Sequence, residues 1–186
     1  MSAAIVVSPL ARIGEMAARH QCRSMLSLMA NGHDFARPGM IDPSRHLTLR
    51  MNDIAFAGSG NLVAPEASHV EQVIRFARAF DGPMLIHCWM GVSRSPAAAL
   101  IAMLARAPAL NDFALAGALR AASHFATPNA RLIALGDEAL GRKGRLVEAV
   151  GAIGRGRDCR LNLPFVLAPE RRLGDEGKVA ASLKFS

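Results

Sequence analysis

Three consecutive stretches constrain this chain's fold more than any others. They are an apolar run Pro83-Met84-Leu85-Ile86, a loop from His87 to Pro96, and a run of small and apolar residues from Ala97 to Ala105. The first is short and apolar, as a fully buried strand is. The last is built of strong helix formers and is apolar all round, so its helix needs cover on every side. Strand, tight loop and buried helix therefore follow one another. A helix starting in such a loop turns its free backbone N–H groups and the positive end of its dipole into the loop, which makes an anion site. The same field favours an anionic sulfur on Cys88, which stands in the loop six positions before Arg94.

The remaining pattern supplies the surroundings. Ala4–Ser8 reads as a strand, Leu10–His20 as a helix, Cys22–Ala30 as a second strand and His46–Met51, which alternates cleanly, as a third. A glycine-bearing loop then runs from Asn52-Asp53 through Gly58-Ser59-Gly60-Asn61. Pro65 is expected to open a helix, with Glu66 in its first turn and Val70, Val73, Ile74 and Ala77 on its buried face. After the central helix the chain turns helical. Asn111 or Asp112 caps one helix, Thr127 caps another with Pro128 at its first position, and Arg145–Ile153 forms the last. Helices separated by short strands favour an α/β fold: a central, mostly parallel sheet flanked by helices, with a helical C-terminal half and the site at a strand's carboxyl end. Residues 1–153 read as one domain and 154–186 as an irregular tail, in which Leu163–Leu167 is apolar enough to dock back on the core.

Composition narrows the classes. At 186 residues one domain can bury a sufficient core, and without tyrosine that core must come from Ala, Leu, Ile, Val and Met. Three cysteines, Cys22, Cys88 and Cys159, form no CxxC pair; this argues against a disulfide framework or a zinc site and for a reducing, cytoplasmic setting. No apolar run is long enough to span a bilayer. The net charge of +7 suits an acidic partner, but no interleaving of aromatic and basic residues supports nucleic-acid binding. No dinucleotide, Walker or metal-ligand motif is present, so neither cofactor nor metal is expected.

Set between its strand and helix, the pattern HCxxGxSRS resembles the signature loop of the cysteine-dependent protein tyrosine phosphatase superfamily, most closely its dual-specificity and small bacterial branch. The resemblance spans roughly Leu47 to Leu140 and implies a tyrosine phosphatase-like fold and phosphomonoester hydrolysis through a phosphocysteine intermediate. The chemistry gives each residue a task. Backbone N–H groups of Trp89, Met90, Gly91, Val92, Ser93 and Arg94 would cradle the phosphate oxygens, with the Arg94 guanidinium adding a bidentate fork. Gly91 permits the tight curl, and Cys88 would attack phosphorus. By resemblance, Ser95 hydrogen-bonds the leaving thiolate and His87 orders the loop. A general acid should stand on a separate loop. The family carries an aspartate a few dozen residues before the cysteine, just after a strand, and Asp53 fits; Asp34 and Asp42 precede that strand, and Asp81 lies at the wrong end of the sheet. Thr127-Pro128-Asn129 resembles a segment whose asparagine supports the active-site loops.

With Trp89, Met90 and Val92 uncharged, the resemblance points to singly phosphorylated protein side chains or small phosphomonoesters, with phosphate and vanadate as ligands, in a pocket walled by Phe56, Trp89 or aliphatic groups. A non-catalytic phospho-ligand module is the alternative; sulfur transfer or thiol redox chemistry through Cys88 is a third reading.

Overall fold

The computed structural model of the protein describes residues 4–56, 58, 60–159 and 163–168. Four short strands run parallel: β1 (Ile5–Pro9), β2 (Ser24–Met29), β3 (His46–Arg50) and β4 (Met84–Cys88). A fifth, β5 (Phe165–Leu167), pairs antiparallel with β1, giving the order β3-β2-β4-β1-β5. The predicted tail thus holds a strand, and the sheet draws on residues beyond 153. Phe165 and Leu167 point inward and are buried while Val166 between them is exposed, the alternation of a half-covered edge.

Six helices flank the sheet: α1 (Ile13–Arg19), α2 (Ala67–Ala79), α3 (Arg94–Arg106), α4 (Asp112–Ala122), α5 (Ala130–Ala139) and α6 (Arg145–Ala152). Along the strands alternate residues go to opposite faces. Ile5, Val7, Leu26, Leu28, Met84 and Ile86 pack with α2, α3 and the C-terminal helices, whereas Val6, Met25 and Leu85 pack with Ile13, Met16 and Ala17 of α1. Helix α3 is buried from Arg94 to Ala105, as its all-round apolar sequence requires. Because all four parallel strands point the same way, the loops that follow them gather at one edge, around the end of β4.

Two helix starts, of α2 and α5, differ from expectation, and α4 takes one of the two caps expected for it. Helix α2 begins at Ala67, not Pro65: the Pro65 carbonyl is held by Arg131 Nε at 2.6 Å, and the extended Glu66 donates its N–H to His69 Nδ1 at 3.1 Å. Asn111 caps α4, accepting from Ala114 N–H at 3.0 Å, while Asp112 is buried in a bidentate pair with Arg142 at 2.8 and 2.7 Å. Asn129 caps α5, in place of Thr127. In α3 the cap position is Ser93, so Pro96 stands third in the helix, where its missing N–H would have had no intrahelical partner.

A polar chain crosses the sheet beneath the β4 loop. Ser27 Oγ lies 2.7 Å from His87 Nε2 and 2.9 Å from His46 Nε2, and Phe35 meets the His87 ring edge-on at 5.0 Å. His87 is fully buried, and burial pushes its pKa from 6.5 down to about 4. Between those values the unfolded chain binds more protons than the folded one. The stabilisation is therefore complete above 6.5 and is lost as pH falls toward 4. Through this residue the unfolding free energy measured in urea should drop by about 2 kcal/mol between about pH 7 and pH 5. His87→Gln should flatten most of that slope; a slope unchanged by the substitution would contradict the assignment.

Candidate active site

Cys88 closes β4, and its residue is 2% exposed at the floor of a cleft of about 590 Å³. Beyond it the backbone curls back on itself. Gly91 takes φ of 71°, a left-handed conformation that favours glycine, and its N–H donates to Cys88 Sγ at 3.2 Å. Ser95 Oγ stands 3.2 Å from the same sulfur.

The curl is held from outside by its carbonyls. Trp89 C=O accepts from Leu10 N–H at 3.1 Å, Val92 C=O from Thr127 N–H at 2.8 Å, and Ser93 C=O from Asn129 N–H at 3.2 Å. Arg94 is buried; its Nη1 donates to Met51 C=O at 2.7 Å, which ties the start of α3 to the end of the β3 strand. Its Nε is buried without a hydrogen-bond partner among the described residues. A charged donor left so is costly unless a ligand completes it.

Asp53 lies where the loop after β3 enters the cleft. Its Oδ1 accepts from Ser93 Oγ at 2.7 Å and from Asn129 Nδ2 at 2.9 Å, while Oδ2 is 3.9 Å from Arg94 Nε. The Asn129 amide has one orientation that satisfies both its ends: Oδ1 accepts from Leu132 N–H at 3.1 Å, so Nδ2 must face Asp53 and the Ile54 carbonyl at 3.2 Å. Asn129 thus unites the Asp53 loop, the β4 loop and helix α5.

Asp53, Cys88, Trp89, Met90, Val92, Ser93 and Arg94 line the cleft together. Gly91 and Ser95 touch the sulfur, Asn129 backs Asp53, and His87 lies below, bonded to Ser27. The other candidate aspartates are elsewhere: Asp34 is exposed beside Arg50 at 3.7 Å, and Asp42 caps a short turn through Ser44 N–H at 2.8 Å. Phe56 is exposed and does not line the cleft. Cys22 is buried in the α1 layer, where desolvation pushes its thiol up to about 11.

Sequence reading missed two walls. Met29 at the end of β2, with Ala30 and His33 after it, forms one, and the His33 ring meets Trp89 at 4.9 Å between centroids. Arg155 to Cys159 form the other. The only sequence signal for the second was the alternation Gly154-Arg155-Gly156-Arg157 just past the last helix. Among the described residues no group of three His, Cys, Asp or Glu could hold a metal ion, and no helix is long and apolar enough to cross a membrane.

No protein-family model and no curated protein matches the sequence. Solved structures do match. Human DUSP28 superposes with a TM-score of 0.54 at 20% identity, over 80% of this chain and 94% of its own. DUSP15 gives 0.56 at 16% identity, over 80% and 89%. A mouse putative dual specificity phosphatase complexed with zinc tungstate gives 0.52 at 21%, over 80% and 86%. With the sheet, the helical layer and the Cys88–Arg94 curl in place, the chain has the fold of the dual-specificity phosphatases.

Proposed function

We propose that the protein is a phosphomonoester hydrolase that acts on phosphorylated side chains through a phosphocysteine intermediate. The observation that carries this reading is Arg94 Nε, buried without a hydrogen bond among the described residues, in the same cleft as the Cys88 thiol. An oxyanion bound there would satisfy the orphaned guanidinium edge and lie against the sulfur. The tungstate complex of the mouse phosphatase, a protein of the same fold, agrees with an oxyanion ligand.

The proposed steps use only residues of this chain. Backbone N–H groups between Trp89 and Arg94 and the Arg94 guanidinium hold the equatorial oxygens. Cys88 Sγ attacks phosphorus as the bond to the leaving oxygen breaks. Asp53 gives that oxygen a proton, from Oδ2, because Oδ1 is already occupied by Ser93 and Asn129. Asp53 then takes a proton from water, which attacks phosphorus and breaks the S–P bond. The Ser95 hydroxyl, 3.2 Å from the sulfur, hydrogen-bonds the departing thiolate.

Cys88→Ser should abolish hydrolysis of p-nitrophenyl phosphate while leaving the cradle able to bind vanadate; retained turnover would rule out the covalent route. Asp53→Asn should lower kcat/KM, which reports the steps up to the phosphocysteine, by about 100-fold or more on alkyl phosphates, whose leaving group needs the proton. On aryl phosphates with acidic phenols the loss should be much smaller. A loss independent of leaving group would remove Asp53 from the role of general acid.

A further inference from the structure

We infer that the segment Gly154–Cys159 forms a second, anion-selecting subsite of the cleft with Arg157 as its anion holder, an inference that rests on the phosphatase reading above. This strap has no helix or strand, yet it is closely held. Arg120 Nη2 donates to Gly154 C=O at 2.8 Å, Gly156 N–H to Thr127 Oγ1 at 3.0 Å, and Arg157 N–H to His124 C=O at 2.9 Å. At Gly156 the strap runs so near its support that a Cβ would stand 2.5 Å from the Phe125 carbonyl oxygen. The supporting residues continue directly into Thr127–Asn129, which hold the β4 loop and Asp53. The position of the strap is thereby coupled to that of the catalytic groups.

The two guanidiniums on the strap differ in availability. Arg155 is paired with Asp158 at 2.7 Å. Arg157 lines the cleft with no side-chain hydrogen bond or ion pair among the described residues. The cradle itself carries uncharged Trp89, Met90 and Val92, so within this cleft positive charge beyond Arg94 comes from the strap. A guanidinium fork matches a carboxylate or a phosphate in two parallel hydrogen bonds. The substrates this arrangement favours carry a second negative group beside the reacting phosphate, which refines the expectation of singly phosphorylated ligands.

The test compares kcat/KM for three peptides that differ at one neighbour of a phosphotyrosine: glutamine, glutamate, or phosphoserine. At low salt the glutamate or phosphoserine peptide should exceed the glutamine peptide by about 3- to 10-fold, the ratio shrinking as salt screens the pair. Which anionic peptide gains more identifies the source of the second charge. Arg157→Gln should bring the ratio close to one and Arg157→Lys should keep part of it. Both substrates meet the same preparation, so partial misfolding of a variant cancels in the ratio. A wild-type ratio near one, or a ratio that survives Arg157→Gln, would overturn the subsite while p-nitrophenyl phosphate hydrolysis left the phosphatase reading standing. Absence of that hydrolysis would defeat both.

Discussion

Everything at the cleft depends on where one amide can stand. The Asn129 carbonyl oxygen is consumed by the first turn of α5, which leaves its NH2 group for the Asp53 carboxylate and the Ile54 carbonyl. Its backbone N–H meanwhile holds the Ser93 carbonyl. A helix cap normally contributes about 1 kcal/mol to stability and has no further task. Here the cap also helps set the distance between the carboxylate on the loop after β3 and the thiol at the end of β4, together with the Ser93–Asp53 and Arg94–Met51 bonds.

The β4 loop shows the same economy from the opposite direction. A backbone that curls around an empty centre must satisfy its outward carbonyls, and Leu10, Thr127 and Asn129 supply the donors. Gly91 accepts the left-handed turn, and Arg94 is braced by the Met51 carbonyl. Inside the curl Arg94 Nε is buried without a hydrogen bond among the described residues, and His87 Nδ1 below the loop is likewise without one. A charged donor left so at the centre of a cleft is expected of a binding site. The buried Ser27–His87 contact beneath the loop adds support without a charge, since burial keeps the imidazole neutral near pH 7.

The sequence made the central strand, loop and helix legible because each has a local cause: an apolar run, a glycine, a train of helix formers. Asp53 was reached through the family resemblance, which sets an aspartate just after a strand, and the structure puts it on the cleft wall. Two helix starts were displaced by two residues where a tertiary partner intervened: the Pro65 carbonyl turned to Arg131, and Asn129, which also holds Asp53, replaced Thr127 as the cap of α5. The strap was illegible for a different reason. Apart from the alternation of glycine and arginine, nothing local in Gly154–Cys159 marks a wall of the cleft; its place comes from bonds to Arg120, His124 and Thr127, dozens of residues earlier. A loosely patterned tail and a held segment look alike until the partners are known.

The strap is flanked by α6 on one side and followed by strand β5, which is laced to the sheet edge. Its path is set by backbone hydrogen bonds and by the lack of a side chain at Gly156, while Arg155, Arg157 and Asp158 extend from that path without determining it. Side chains of this kind can be exchanged with little disturbance to the chain that carries them. Substitutions there would change the charge of one cleft wall and leave Cys88, the β4 loop and Asp53 as they are.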